Sequence, residues 1–132
     1  MAKRAPARAS SKSRKAPASG ITIIEGGSAT SPQGFVAGAV YAGIKTPGSG
    51  KLDVGILASD RPATVAAMFT SSTVKGAAVI VSQRNVRNAR ARGVIVNAGI
   101  SNVAKGEAGI ANAEEMCALA AGKFGIDACE VI

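Results

Sequence analysis

The sequence predicts an α/β fold, and three observations carry that reading. Short apolar runs rich in β-branched residues recur at Ile21–Ile24, Ala77–Ser82 and Val94–Val96, the composition of buried strands. Ile110, Ala113, Cys117, Ala120 and Phe124 recur at spacings of three and four, which lays one apolar stripe along a helix. Between these patterns lies Gly93–Gly109, GVIVNAGISNVAKGEAG, where a strand run stops at Asn97 and a polar, glycine-rich loop leads into the helix. A strand, a tight loop and a helix in that order are how α/β proteins place groups at the carboxyl edge of a sheet. On pattern alone, an ordinary strand-to-helix connection is the better explanation of the stretch.

Composition sets the limits. The chain has 132 residues, enough for one modest core, and 47% of them are apolar. The apolar residues are small: there is no Trp, one Tyr and three Phe, beside 16 Gly. Such a core depends on close backbone approach rather than on large side chains. There is no histidine, so a His-based triad, a His zinc site and a His proton shuttle are excluded within this chain, and no metal site is expected. Cys117 and Cys129 lack a CxxC spacing and read as reduced thiols of a cytosolic protein, Cys117 as a packed thiol rather than a nucleophile. No apolar run is long enough to span a membrane.

Residues 1–20 hold Lys3, Arg4, Arg8, Lys12, Arg14 and Lys15 and no acidic residue, six of the eight net positive charges. Residues 21–132 are almost balanced, with ten basic and eight acidic side chains. The first segment is therefore expected to be a disordered basic tail and the second the folded domain. An arm for nucleic acid, a transit peptide and an inert extension compete for the tail. The inert extension fits best, because the segment lacks the Leu, Ile, Phe and Val of an amphipathic transit peptide.

Along the rest of the chain, Ile21–Ile24 is expected as a first strand, and Ser31–Phe35 as a turn leading into a second strand over Phe35–Ile44. Residues 45–51, KTPGSGK, imitate a phosphate loop and fail the test. The first Gly is replaced by Lys45 and the final Ser or Thr by Leu52, so the stretch reads as a hairpin turn. Asp53–Ser59 is expected as a strand, Asp60–Pro62 as a turn, and Ala63–Thr70 and Ala77–Ser82 as further strands. Gln83–Arg92 suits one or two helical turns. Its four arginines have no interleaved aromatic on which bases could stack, so a nucleic-acid role is disfavoured. A helix over Ile110–Phe124 ends at Gly125, and Glu130–Ile132 begins another strand. Val94–Val96 and Ala77–Ser82 show little polar alternation, so both faces of these strands should be covered in the complete protein.

Taken in order, these segments carry a resemblance. Pro32-Gln33-Gly34-Phe35 resembles a P-x-G-F opening, Ala42-Gly43-Ile44-Lys45 an A-G-I-K, and Leu52-Asp53-Val54 the start of a D-L-A-L-I strand. Ala67-Met68-Phe69-Thr70 resembles A-G-V-F-T, and Val74 to Val79 resembles V-K-A-A-P-V. Gly93–Gly109 resembles R-A-I-V-V-N-S-G-N-A-N-A-C-T-G-E-Q-G. Their order from Pro32 to Ile132 is similar to the N-terminal part of the ornithine acetyltransferase family, the bifunctional glutamate N-acetyltransferases of arginine biosynthesis. Asn97, Gly99, Asn102 and Gly106 match the motif loop, whereas Ala98, Ile100, Val103 and Lys105 depart from it.

The resemblance implies a layered sheet-and-helix fold that this chain contains only in part. It implies a cytoplasmic enzyme made as a precursor that cleaves itself before a threonine. That threonine then carries acetyl from N-acetylornithine to glutamate, activated by its own amine. No cofactor is implied; acetyl-CoA serves some members as a substrate. The partner is the second, beta subunit from the same precursor, in a heterotetramer. The nucleophilic Thr and an oxyanion-hole Thr-Gly pair fall beyond Ile132, so no catalytic residue is assigned here and the chain by itself should be inactive. The competing reading is a small α/β binding module whose basic tail contacts nucleic acid.

Overall fold

Antiparallel pairing organises the chain: three strands hydrogen-bond in the order β1-β2-β3, β1 being Phe35–Val40, β2 Val54–Thr64 and β3 Arg90–Asn97. The computed structural model describes residues 20–132, so the expectation for the basic tail lies, Gly20 apart, outside the described residues. Between β2 and β3 runs helix α1, Ala77–Asn85, followed by a short 3-10 turn, Val86–Asn88. After β3 comes the long helix α2, Gly106–Phe124, then a second 3-10 turn, Ala128–Glu130.

The register fixes two faces. Val54, Ile56 and Ala58 of β2 lie opposite Asn97, Ile95 and Gly93 of β3, all on the side that α1 and α2 cover. Leu57 and Val94 face the other way, as do Gly55 and Val96. The core lies under the helices and is built from small side chains: Ala77, Val81, Ala113, Cys117, Ala120, Ala121 and Val131. Val81 and Val131 are the largest fully buried ones. Arg84 of α1 reaches Glu114 of α2 at 2.6 Å, tying the helices at the rim.

Ala77–Ser82 is a helix, not the expected strand. Ala77 and Val81 are buried against α2 and Asn85, one turn further on, against Ala128 and Val131, and that packing overrides the β-branched composition. Ile21–Ile24 forms no strand: its residues are exposed, and a turn closes from Gly27 N–H to the Ile24 carbonyl. β1 ends at Val40 rather than Ile44.

The expected turn at Asp60–Pro62 lies inside β2. The register shifts between Ala58 and Ala63, a bulge that gives Pro62 a place without a ladder donor. β2 then stops at Thr64, and residues 65–70 carry no regular structure. β3 starts at Arg90, earlier than the apolar run suggests, so the helical part of Gln83–Arg92 ends at Asn88. Helix α2 starts at Gly106 rather than Ile110. Its buried stripe takes in Gly109 and Ala121, while Phe124 stays substantially exposed. Gly125 closes it in the left-handed conformation, as expected. No helix among the described residues is long and apolar enough to cross a membrane.

Candidate functional site

The motif loop begins where β3 runs out. Ala98 N–H still donates to the Asp53 carbonyl at 2.8 Å, after which the Asn97 side-chain amide closes a turn onto the Ile100 carbonyl at 3.2 Å. Gly99 has φ +108°, and a Cβ there would lie 2.6 Å from the Lys45 Cα. Only glycine allows the two backbones to touch at that point. Asn102, itself at φ 50°, ties the loop to both helices. Its side-chain amide donates to the Gly109 carbonyl at 2.8 Å, and its carbonyl accepts from Ala77 N–H at 3.1 Å. Gly106 opens α2 at φ 57°.

The loop that Gly99 meets is itself held by one carboxylate. Asp53, only 5% exposed, accepts from the backbone N–H groups of Ala42 and Ile44 at 2.6 Å each and of Lys45 at 3.2 Å. These donors, Ala42 foremost, hold the Asp53 carboxyl below the usual aspartate value although burial pushes it up. In the sequence Asp53 reads as the start of a strand. A lone acid at the head of an apolar run, just after a glycine-rich turn, is the signal that marks it.

Between the end of β3 and α2 opens a cleft of about 530 Å³. Its walls are largely apolar, including Ile44, Ile95, Ile100 and Met116, and its polar groups are Asn97, Asn102, Asn112 and Glu115. The structure thus brings Asn97 and Asn102 together at one opening; Gly99 and Gly106 shape the loop without lining it. Of the departures from the motif, Ile100 lines the cleft, and Val103 pairs with Gly76 at the head of α1.

A smaller cavity of about 190 Å³ adjoins the cleft and reaches Cys117 and Ile132. Burial raises the Cys117 thiol above its usual value, so it stays protonated and packs in the core; Cys129 is exposed, and both cysteines are free. Among the described residues no three His, Cys, Asp or Glu side chains gather as a metal site would require. Amides and one carboxylate can orient a ligand or a chain segment. Among the described residues, the cleft's lining holds no hydroxyl, thiol or amine to serve as a nucleophile.

Comparison with known proteins agrees with this architecture. The model of the ArgJ family matches residues 36–132. An arginine biosynthesis bifunctional protein ArgJ from Dehalococcoides mccartyi is 45% identical over 98 residues, which are 74% of this chain and 24% of that protein. The corresponding protein of Symbiobacterium thermophilum is 40% identical over 76% of this chain and 25% of its own length. Among solved structures, the arginine biosynthesis bifunctional protein ArgJ of Bacillus halodurans superposes with a TM-score of 0.76 at 33% identity, covering 82% of this chain and 56% of that one. The ornithine acetyltransferase of Mycobacterium tuberculosis, solved in complex with ornithine, superposes at 0.67 and 37% identity, covering 76% and 54%. The chain spans about a quarter of the length of the curated relatives it matches.

Proposed function

The chain belongs to the ArgJ family, and on that footing we propose that it forms the N-terminal part of a cytoplasmic acetyltransferase of arginine biosynthesis. The reaction moves acetyl from N-acetylornithine to glutamate, with acetyl-CoA as an alternative donor. A threonine outside these residues, freed by self-cleavage, attacks the acetyl carbonyl through its hydroxyl. Its own amine accepts the proton, and ornithine leaves as the free amine. Glutamate's amine then takes the acetyl group from the threonine ester. The working enzyme pairs this region with the second subunit from the same precursor, in a heterotetramer.

The observation that carries this reading is the superposition on the Bacillus halodurans protein over 82% of this chain at a TM-score of 0.76 and 33% identity. Within that enzyme the present residues supply a frame. Asp53 shapes the 42–45 loop, Gly99 lets the motif loop close on it, and Asn102 fastens both to the helices.

The test is a transplant. Residues 36–132 replace the matching segment of the Dehalococcoides mccartyi relative, and self-cleavage and acetyl transfer from N-acetylornithine to glutamate are measured. The hybrid is expected to cleave and to transfer acetyl, while residues 1–132 by themselves do neither. A soluble, cleaved hybrid without transfer, or transfer by the 132 residues alone, would overturn the proposal.

A further inference from the structure

Every polar group of Asp53 is engaged, and its partners lie in three places. Its N–H donates to the Val40 carbonyl at 3.0 Å, at the end of β1. Its carbonyl accepts from Ala98 N–H at 2.8 Å, where the motif loop begins. Its carboxylate holds the N–H groups of Ala42, Ile44 and Lys45. Hydrogen bonds to an ionised acceptor are stronger than the neutral bonds around them. Lys45 is also the residue on which Gly99 rests: a Cβ at Gly99 would lie 2.6 Å from the Lys45 Cα and 2.9 Å from its backbone nitrogen. The far end of the motif loop is fastened separately, by Asn102 to Gly109 and Ala77.

We infer that Asp53 is a positioning residue for the motif loop: through Lys45 it seats Gly99, so that residues 42–45 and 98–101 order and open as one unit. Asp53 does not line the cleft that Ile44, Asn97 and Ile100 border, so it acts on those walls only through other residues. The route is short and rigid. It runs from the carboxylate to the Lys45 backbone, and from there to the Gly99 backbone, with no flexible side chain between. A second route leads from the Asp53 carbonyl to Ala98. Without the carboxylate charge, the 42–45 backbone loses the acceptor that fixes it, and Gly99 loses its seat. Such a coupling is reciprocal, so whatever lifts Gly99 away must also loosen the N–H groups that Asp53 holds. The two isoleucines, Ile44 and Ile100, then keep their places at the cleft only together. This coupling is independent of acetyl transfer.

Residue-resolved amide exchange and side-chain spectra of the dilute 132-residue chain test it. In the unaltered chain, the N–H groups of Ala42, Ile44 and Ala98 should exchange through one opening with one denaturant dependence, ahead of the amides around Cys117 in α2. Asp53→Asn keeps the size and removes the charge. It should quicken exchange at all three by about tenfold and shift the signals of the Ile100 methyl groups and the Asn97 side-chain amide. Gly99→Ala alters only the motif loop, yet should quicken exchange at Ala42 and Ile44 by a comparable factor. Gly106→Ala is the control. It strains the same loop at φ 57°, but a Cβ there meets nothing within 4 Å, so Ala42 and Ile44 should not respond. Separate openings for Ala98 and for Ala42 and Ile44 in the unaltered chain would overturn the inference, and this arm stands even where a variant fails to fold. Asp53→Asn that leaves Ala98, Asn97 and Ile100 unmoved would overturn it too. So would equal responses of Ala42 and Ile44 to Gly99→Ala and Gly106→Ala, since general loosening would then suffice.

Discussion

The two faces of the sheet differ in how far they are finished. On one, α1 and α2 cover a core of alanines and valines, with Val131 fully buried and Ile56 and Ile95 half-buried against it. On the other, Leu57 and Val94 are half-buried and Val96 is 56% exposed, although all three are as apolar as the residues beneath the helices. The same strands thus carry one face that holds the chain together and one that contributes little until something covers it. Substitutions on the first face should act on stability, and substitutions on the second on association.

The largest effect belongs under the helices. Val81→Ala removes two buried carbons and leaves a void at a residue only 2% exposed, and should cost about 2–3 kcal/mol in a denaturant titration. Asn85→Ala comes next. Its amide donates to the Val131 carbonyl at 2.8 Å in a buried setting, and removing it should cost about 1–2 kcal/mol by the same titration. Gly125→Ala forces a side chain into φ +62° at the end of α2 and should cost about 1 kcal/mol.

A smaller and local effect is expected at Asp53. Its carboxyl is held low, so its contribution is complete above the usual aspartate value of about 3.9 and is lost as pH falls through the depressed one. Amide exchange at Ala42 and Ile44 should therefore quicken in acid before the core opens, and Asp53→Asn should quicken it already at neutral pH. The smallest effect on stability is on the open face, where Val96→Thr should stay within about 0.5 kcal/mol.

The contrast between two sequence runs shows what was legible. VIV at 94–96 and AAVIVS at 77–82 are almost the same composition, yet one is a strand and the other a helix. The first is bounded by Gly93 and by the turn at Asn97, and alternation serves it. The second continues into Gln83-Arg84-Asn85, which extends a helical stripe from Ala77 through Val81 to Asn85 that packing on α2 and Val131 makes worthwhile. Helix α2 itself was visible because its stripe and its closing glycine are local signals. Its earlier start at Gly106 was not, since Gly and Glu at a helix head carry no apolar period. In the motif loop, Asn97 and Asn102 were marked by matching the family pattern and do meet at the cleft. Asp53 and Lys45 were not connected to them, because the contact through Gly99 joins backbones far apart in sequence and leaves no residue-type signature. The bulge at Asp60–Pro62 reads as a turn for the same reason: a proline breaks the ladder in either setting, and only the pairing of Ala63 with Ala91 distinguishes them.

The unfinished face is open to a direct measurement: sedimentation velocity and thermal melting of residues 1–132 beside the double variant Val94→Thr, Val96→Thr. The parent chain is predicted to self-associate in a concentration-dependent way. The variant should shift toward monomer with its melting temperature little changed, because those side chains are not part of the helix-covered core. A parent that stays monomeric at every concentration and melts in one sharp transition would contradict the account. The exposed face would then need no cover, and these residues would stand as a finished domain.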